Sequence, residues 1–154
     1  TRFVSSYKHD FRHWHFILPT IYGPGENSQR LIPYTIVAII QKKSLLFTNG
    51  EQVRQYLFVG DVPKVLECAY ERSLSSGIYN IAADDIYTVR EIVKMIHDYF
   101  GIQLPDDCFG SAIRSDVGMK YLVLDGIKLD NAIGRRMLCT LNDTIKLYSN
   151  GFEK

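Results

Sequence analysis

Short apolar runs of strand length alternate with helical periodicities along this chain, and that alternation confines it to the α/β class. Residues 16–18, 45–48, 52–59, 78–82 and 121–124 read as strands. Helices are expected over 31–41, 62–73, 89–100, 126–133 and 141–148. A further helix is expected over 3–12, where Phe3, Val4, Tyr7 and Phe11 recur at helical spacing and Trp14 continues the stripe. Pro33 suits a first helical turn, Asp61 is placed to cap 62–73, and Thr88 with Glu91 forms a capping-box pattern closed by Gly101. Asn49-Gly50 reads as a turn between two strands, and residues 19–25 and 102–118 as loops.

With 154 residues, 46% hydrophobic and 23% charged, the chain suits one domain with a real core. A net charge of +1 offers no bulk attraction to nucleic acid or to an anionic membrane, so any bound anion must be held by a local cluster. The longest apolar stretch, residues 36–40, is far too short to span a bilayer. Cys68, Cys108 and Cys139 are odd in number and widely spaced, which argues against a zinc site or a disulfide framework and fits reduced thiols in a cytoplasmic protein. His13-x-His15 has the spacing of strand ligands, yet no metal is expected. The histidines are expected on or near helix surfaces, Cys68 in the core, and Asp84-Asp85 as a loop or capping pair. Thr1-Arg2-Phe3-Val4 opens inside an amphipathic pattern and reads as the start of a truncated or proteolytic piece.

Arg54 is the chemically distinctive residue of the strands. An arginine facing inward from a strand needs an anionic partner, because its charge cannot be neutralised. The simpler alternative is a surface arginine paired with Glu51. Tyr22-Gly23-Pro24-Gly25 ends an apolar run in a Gly/Pro turn, but Pro24 removes a backbone donor that a phosphate loop needs. No Tyr-x-x-x-Lys occurs in the chain, and no Gly-x-Gly-x-x-Gly stands between a strand and a helix.

From about Phe16 to Tyr148 the chain resembles the C-terminal half of the NAD-dependent sugar-nucleotide epimerase/dehydratase family, the extended short-chain dehydrogenases. The landmarks fall in order: Leu18-Pro19-Thr20-Ile21-Tyr22-Gly23-Pro24-Gly25, Arg30-Leu31-Ile32-Pro33, Gly50-Glu51-Gln52-Val53-Arg54 with Val59-Gly60-Asp61-Val62, Gly77-Ile78-Tyr79-Asn80-Ile81, and Arg114 followed by Leu124-Asp125-x-x-Lys128. The resemblance implies the C-terminal part of a Rossmann-type fold with a small mixed α/β substrate domain. Residues 1–154 would then be a substrate-binding portion, with remnants of the Rossmann core in 1–25 and 60–83 and the N-terminal NAD-binding half absent.

Roles follow by the same resemblance. Arg54 and Arg114 would clamp the diphosphate of a nucleoside-diphosphate sugar, with Arg30 as a third positive group. Leu31 and Ile32 would line the nucleotide wall, Phe47 would stand near the base, and Thr20 would face the substrate. Pro19 and Ile21 would lie beside the nicotinamide of NAD, and Asn80 would be structural. Ile17, Thr20, Thr48 and Gln55 depart from the family's usual Arg, Asn, Gly and Asp. No catalytic residue is assigned, since the Tyr-x-x-x-Lys helix is missing. The implied function is the inactive substrate-binding fragment of an epimerase or 4,6-dehydratase. A homodimer is expected through the stripe Phe3, Tyr7 and Phe11. The alternative is a non-catalytic module that reuses this fold to hold a nucleotide or a protein.

Overall fold

The computed structural model describes residues 12–110, 112 and 119–149. Arg114 and the stripe Phe3, Tyr7 and Phe11 lie outside the described residues. Two sheets organise the rest. In the first, β1 (Trp14–Ile17) runs parallel to β4 (Gly77–Asn80), with Trp14 opposite Gly77 and Ile17 opposite Asn80. In the second, β3 (Val53–Phe58) is central. Its start pairs parallel with β6 (Tyr121–Leu122) and antiparallel with β5 (Ile86–Thr88), and its end pairs parallel with β2 (Thr20–Tyr22).

Six helices cover these sheets among the described residues: α1 (Leu31–Ile40), α2 (Asp61–Glu71), α3 (Val89–Phe100), α4 (Ile127–Ile133), α5 (Leu141–Thr144) and α6 (Lys146–Ser149). The β2–β3 pair separates two cores. Strand alternation turns Tyr22, Tyr56 and Phe58 toward α1 and α3, where they pack with Ile36, Ile92 and Ile96. Ile21 and Leu57 face the other way, onto Val65, Ala69, Ile81 and Leu129. A third cluster gathers Leu45, Phe47, Val93 and Cys108.

Several local expectations hold. The Thr88 side chain accepts from the Glu91 N–H while Glu91 reaches back to the Thr88 N–H, and Gly101 closes α3 at φ 64°, a left-handed conformation that glycine adopts without a Cβ clash. Asn80 donates to the Asp125 carbonyl at 2.8 Å and ties β4 to the turn before α4. Asp85 caps α5, accepting from the Leu141 N–H at 2.6 Å, and Asp84 pairs with Arg135 at 2.9 Å on the surface. Burial pushes the Asp85 carboxyl upward, against the opposing pull of its bonds from Leu141 and Tyr87. Cys68 is partly buried against the second cluster.

Other expectations are corrected. Trp14 begins β1 rather than continuing a helix, and its indole N–H donates to the Leu74 carbonyl at 2.9 Å. Residues 20–22, read as loop, form β2 because β3 supplies a parallel partner that no local pattern announces. The segment 45–48 is no strand: Phe47 makes an isolated bridge to Phe109, so Asn49-Gly50 joins no hairpin. Asp61 lies within the first turn of α2 behind Gly60, and its fully buried carboxylate binds the Cys139 N–H at 2.7 Å and Lys64 at 2.7 Å instead of capping. Residues 141–148 break at Ile145 into α5 and α6. His97 is 3% exposed rather than on the surface, with Nδ1 3.3 Å from the Ile102 carbonyl.

Candidate functional site

The parallel register sets Thr20 opposite Tyr56, and alternation along β3 places Arg54 on the same side as Tyr56, toward α1. Arg54 is partly buried. Its Nη1 donates to its neighbour's carbonyl at Val53, 2.8 Å away, and more weakly to the Lys120 carbonyl at 3.4 Å. The surface-pair alternative fails, because Glu51 pairs with Lys120 at 3.9 Å and Arg54 has no carboxylate partner among the described residues. A guanidinium carries five donors in a planar fork, so most of its capacity stays unused.

Arg30 precedes α1. Its Nε pairs with Glu26 at 2.9 Å and its Nη2 donates to the Ile21 carbonyl at 3.0 Å. Glu26 is held in turn by the Tyr148 hydroxyl of α6, a phenol kept protonated by burial and by that carboxylate. Arg30 is therefore already neutralised where Arg54 is not. Leu31 and Ile32 form the first turn of α1; Ile32 is buried and Leu31 partly so. No side chain caps this helix, and its first turn holds no acidic residue. Pro33 carries no N–H, so the uncapped donors are those of Leu31 and Ile32, at the positive end of the helix dipole.

Tyr56 completes this corner. Burial pushes its hydroxyl up to about 12, opposed by the positive charges of Arg54 and then Arg30 and reinforced by Glu26. The same three side chains thus act on one phenolic oxygen. The structure brings Thr20, Arg30, Leu31, Arg54 and Tyr56 to one corner. Phe47 is deeper: its ring meets Tyr34 edge-on at 5.7 Å and stacks on Phe109 at 5.4 Å. Sequence reading passed over Tyr56, although the two-residue spacing from Arg54 on a strand was the signal for it.

The sequence model of the NAD dependent epimerase/dehydratase family matches residues 2–82. The chain belongs to this family. The dTDP-glucose 4,6-dehydratase of Escherichia coli is 32% identical in a 102-residue alignment that covers 60% of this chain and 28% of that enzyme. The dTDP-glucose 4,6-dehydratase of Bacillus anthracis, solved in complex with NAD, matches with a TM-score of 0.77 at 19% identity, over 91% of this chain and 44% of that one. The Bordetella bronchiseptica enzyme WbmG, solved with NAD and UDP, matches with a TM-score of 0.76 at 18% identity, over 95% and 46%. These structures establish the Rossmann-type fold, and this chain spans less than half the length of each relative.

The Gly23-Pro24-Gly25 turn of this family member is filled from within. A Cβ added at Gly23 would stand 2.4 Å from Val59 Cγ1, so the Gly/Pro turn is closed by a side chain rather than left open for a phosphate. Pro19 is buried, and the Ile21 carbonyl is taken by Arg30.

Proposed function

We propose that this chain is the substrate-binding portion of an NAD-dependent nucleoside-diphosphate-sugar epimerase or 4,6-dehydratase. Arg54 is its principal diphosphate ligand, Arg114 the second arm of the clamp, and the N-terminus of α1 at Leu31 and Ile32 the nucleotide wall. β1, β4 and α2 are then the Rossmann remnants within 1–25 and 60–83, and the NAD-binding half lies in sequence not included in 1–154. The observation that carries this reading is the Arg54 guanidinium, partly buried, without a carboxylate partner among the described residues, and acting on the same Tyr56 hydroxyl as Arg30, the residue that precedes the uncapped helix α1. Two donor sets of positive character facing one corner favour an anion between them. Family membership and the printed UDP complex of WbmG support a nucleoside diphosphate as that anion.

With Tyr-x-x-x-Lys and a glycine-rich dinucleotide turn both absent from the sequence, the chain by itself is expected to turn over no sugar nucleotide and to bind NAD weakly. Calorimetry with NAD checks this, and tight binding by the purified chain would contradict it. Arg54→Ala should weaken binding of UDP and dTDP by roughly tenfold or more, the worth of one charge-assisted bond of about 1.5–3 kcal/mol. Arg72→Ala, an exposed arginine after α2, serves as control. Equal affinity of the two variants would remove Arg54 from the site.

A further inference from the structure

Four tyrosines are buried among the described residues, and three satisfy their hydroxyls within the protein. Tyr22 is 2.9 Å from Thr144 Oγ1, Tyr79 donates to the Ser75 carbonyl at 3.0 Å, and Tyr148 donates to Glu26. Tyr56, only 3% exposed, has no such partner among the described residues. Buried phenols ordinarily find one, so the exception calls for a cause. Nor is the oxygen sealed inside. The unpartnered side-chain atoms closed off from solvent are Gln52 Oε1, His97 Nε2 and two nitrogens of Arg136, and Tyr56 Oη is not one of them. The ring thus lies in the first core while its hydroxyl keeps a narrow access to solvent, in the field of Arg54 and Arg30.

We infer that the Tyr56 hydroxyl is a further ligand of the anion at this corner, donating a hydrogen bond to a phosphate oxygen of a bound nucleoside diphosphate held by Arg54. The inference rests on the diphosphate reading proposed above. Two strand residues two positions apart project side by side, so one phosphate group can meet both Arg54 and Tyr56. The phenol keeps its proton throughout the neutral range, and an anionic oxygen is the acceptor that a protonated hydroxyl beside a guanidinium lacks.

Tyr56→Phe removes this oxygen and leaves the ring in its packing. Titration of the full chain with UDP and dTDP should show affinity reduced by roughly three- to tenfold, with the thermal midpoint unchanged because no protein hydrogen bond is lost. Uridine, which carries no phosphate, should bind the variant and the parent chain alike. Tyr22→Phe is the counterpart: it should lower the thermal midpoint and leave UDP affinity intact. If Arg54→Ala weakens UDP while Tyr56→Phe does not, the Tyr56 inference is overturned and the diphosphate site stands. An equal loss for uridine would assign the hydroxyl to the wall of the site rather than to phosphate and also overturn it. If neither variant changes UDP affinity, or the parent chain binds no UDP, the diphosphate reading falls and Tyr56 falls with it.

Discussion

Gln55→Ala is expected to lower the stability of the fold by about 2–4 kcal/mol, from the combined loss of buried hydrogen bonds and side-chain packing. Gln55 is 2% exposed and acts as a three-way tie. Its Nε2 donates to the Ala83 carbonyl at 2.7 Å and, at 3.5 Å, to that of Leu124, while its Oε1 accepts from the Leu124 N–H at 3.1 Å. Truncation leaves the buried Ala83 carbonyl and the partly buried Leu124 N–H without their partner, and the loss at the carbonyl costs more than the bond was worth. A urea titration with unchanged slope and a lower midpoint is the expected result. A shift below about 0.5 kcal/mol would show that solvent takes over both groups, because that is the ordinary scatter of surface substitutions.

The same substitution carries a functional consequence. Leu124 follows β6, the strand paired with Val53 and Arg54, and the Lys120 carbonyl at its entrance accepts from Arg54. Freed from Gln55, the 119–124 segment should leave the arginine less well placed, so UDP affinity should fall alongside stability. The usual family Asp at this position offers only acceptors when ionised, whereas Gln55 both donates to and accepts from the backbone.

What was legible in the sequence was local. Helix α1 was placed to within a residue because its apolar run and Pro33 sit together, and α3 because the capping box and Gly101 are complete within the element. β2 and β5 were not legible. Each has three residues, too few for a period, and both exist through pairing with β3 from more than twenty-five residues away. His97 was misplaced by its chemistry rather than by its position: it follows Val93 by four on the buried face of α3. In the proposed site, a fixed charge on a strand, Arg54, drew notice in the sequence, whereas an ordinary aromatic, Tyr56, did not, because it gains meaning only from the strand face it shares with Arg54. Arg30 was read as a third positive group of the clamp. Its pairing with Glu26, itself bound by Tyr148 from the far end of the described chain, joins 26 to 148 and could not be read along the sequence.

Leu57→Ala is expected to cost about 2–5 kcal/mol, the range for truncating a buried leucine in a core that relaxes only partly. Leu57 is fully buried, lies opposite Ile21 across the β2–β3 pair, and packs in the second cluster with Val65 and Ile81. Leu66→Ala on α2, at 40% exposure, should change stability by less than about 0.5 kcal/mol and sets the baseline. The informative comparison is with binding. Leu57 faces α2 and α4 while Arg54 and Tyr56 face α1, so the two sides of one strand separate fold from function. At a temperature where the Leu57 variant is still folded, its UDP affinity should equal that of the parent chain. Arg54→Ala should show the reverse, with weakened affinity and little lost stability. A Leu57 variant that is as stable as the Leu66 control would mean that this residue is not where the second core closes. A parallel fall in affinity would mean that the cavity shifts β3 itself and that the two faces are mechanically coupled.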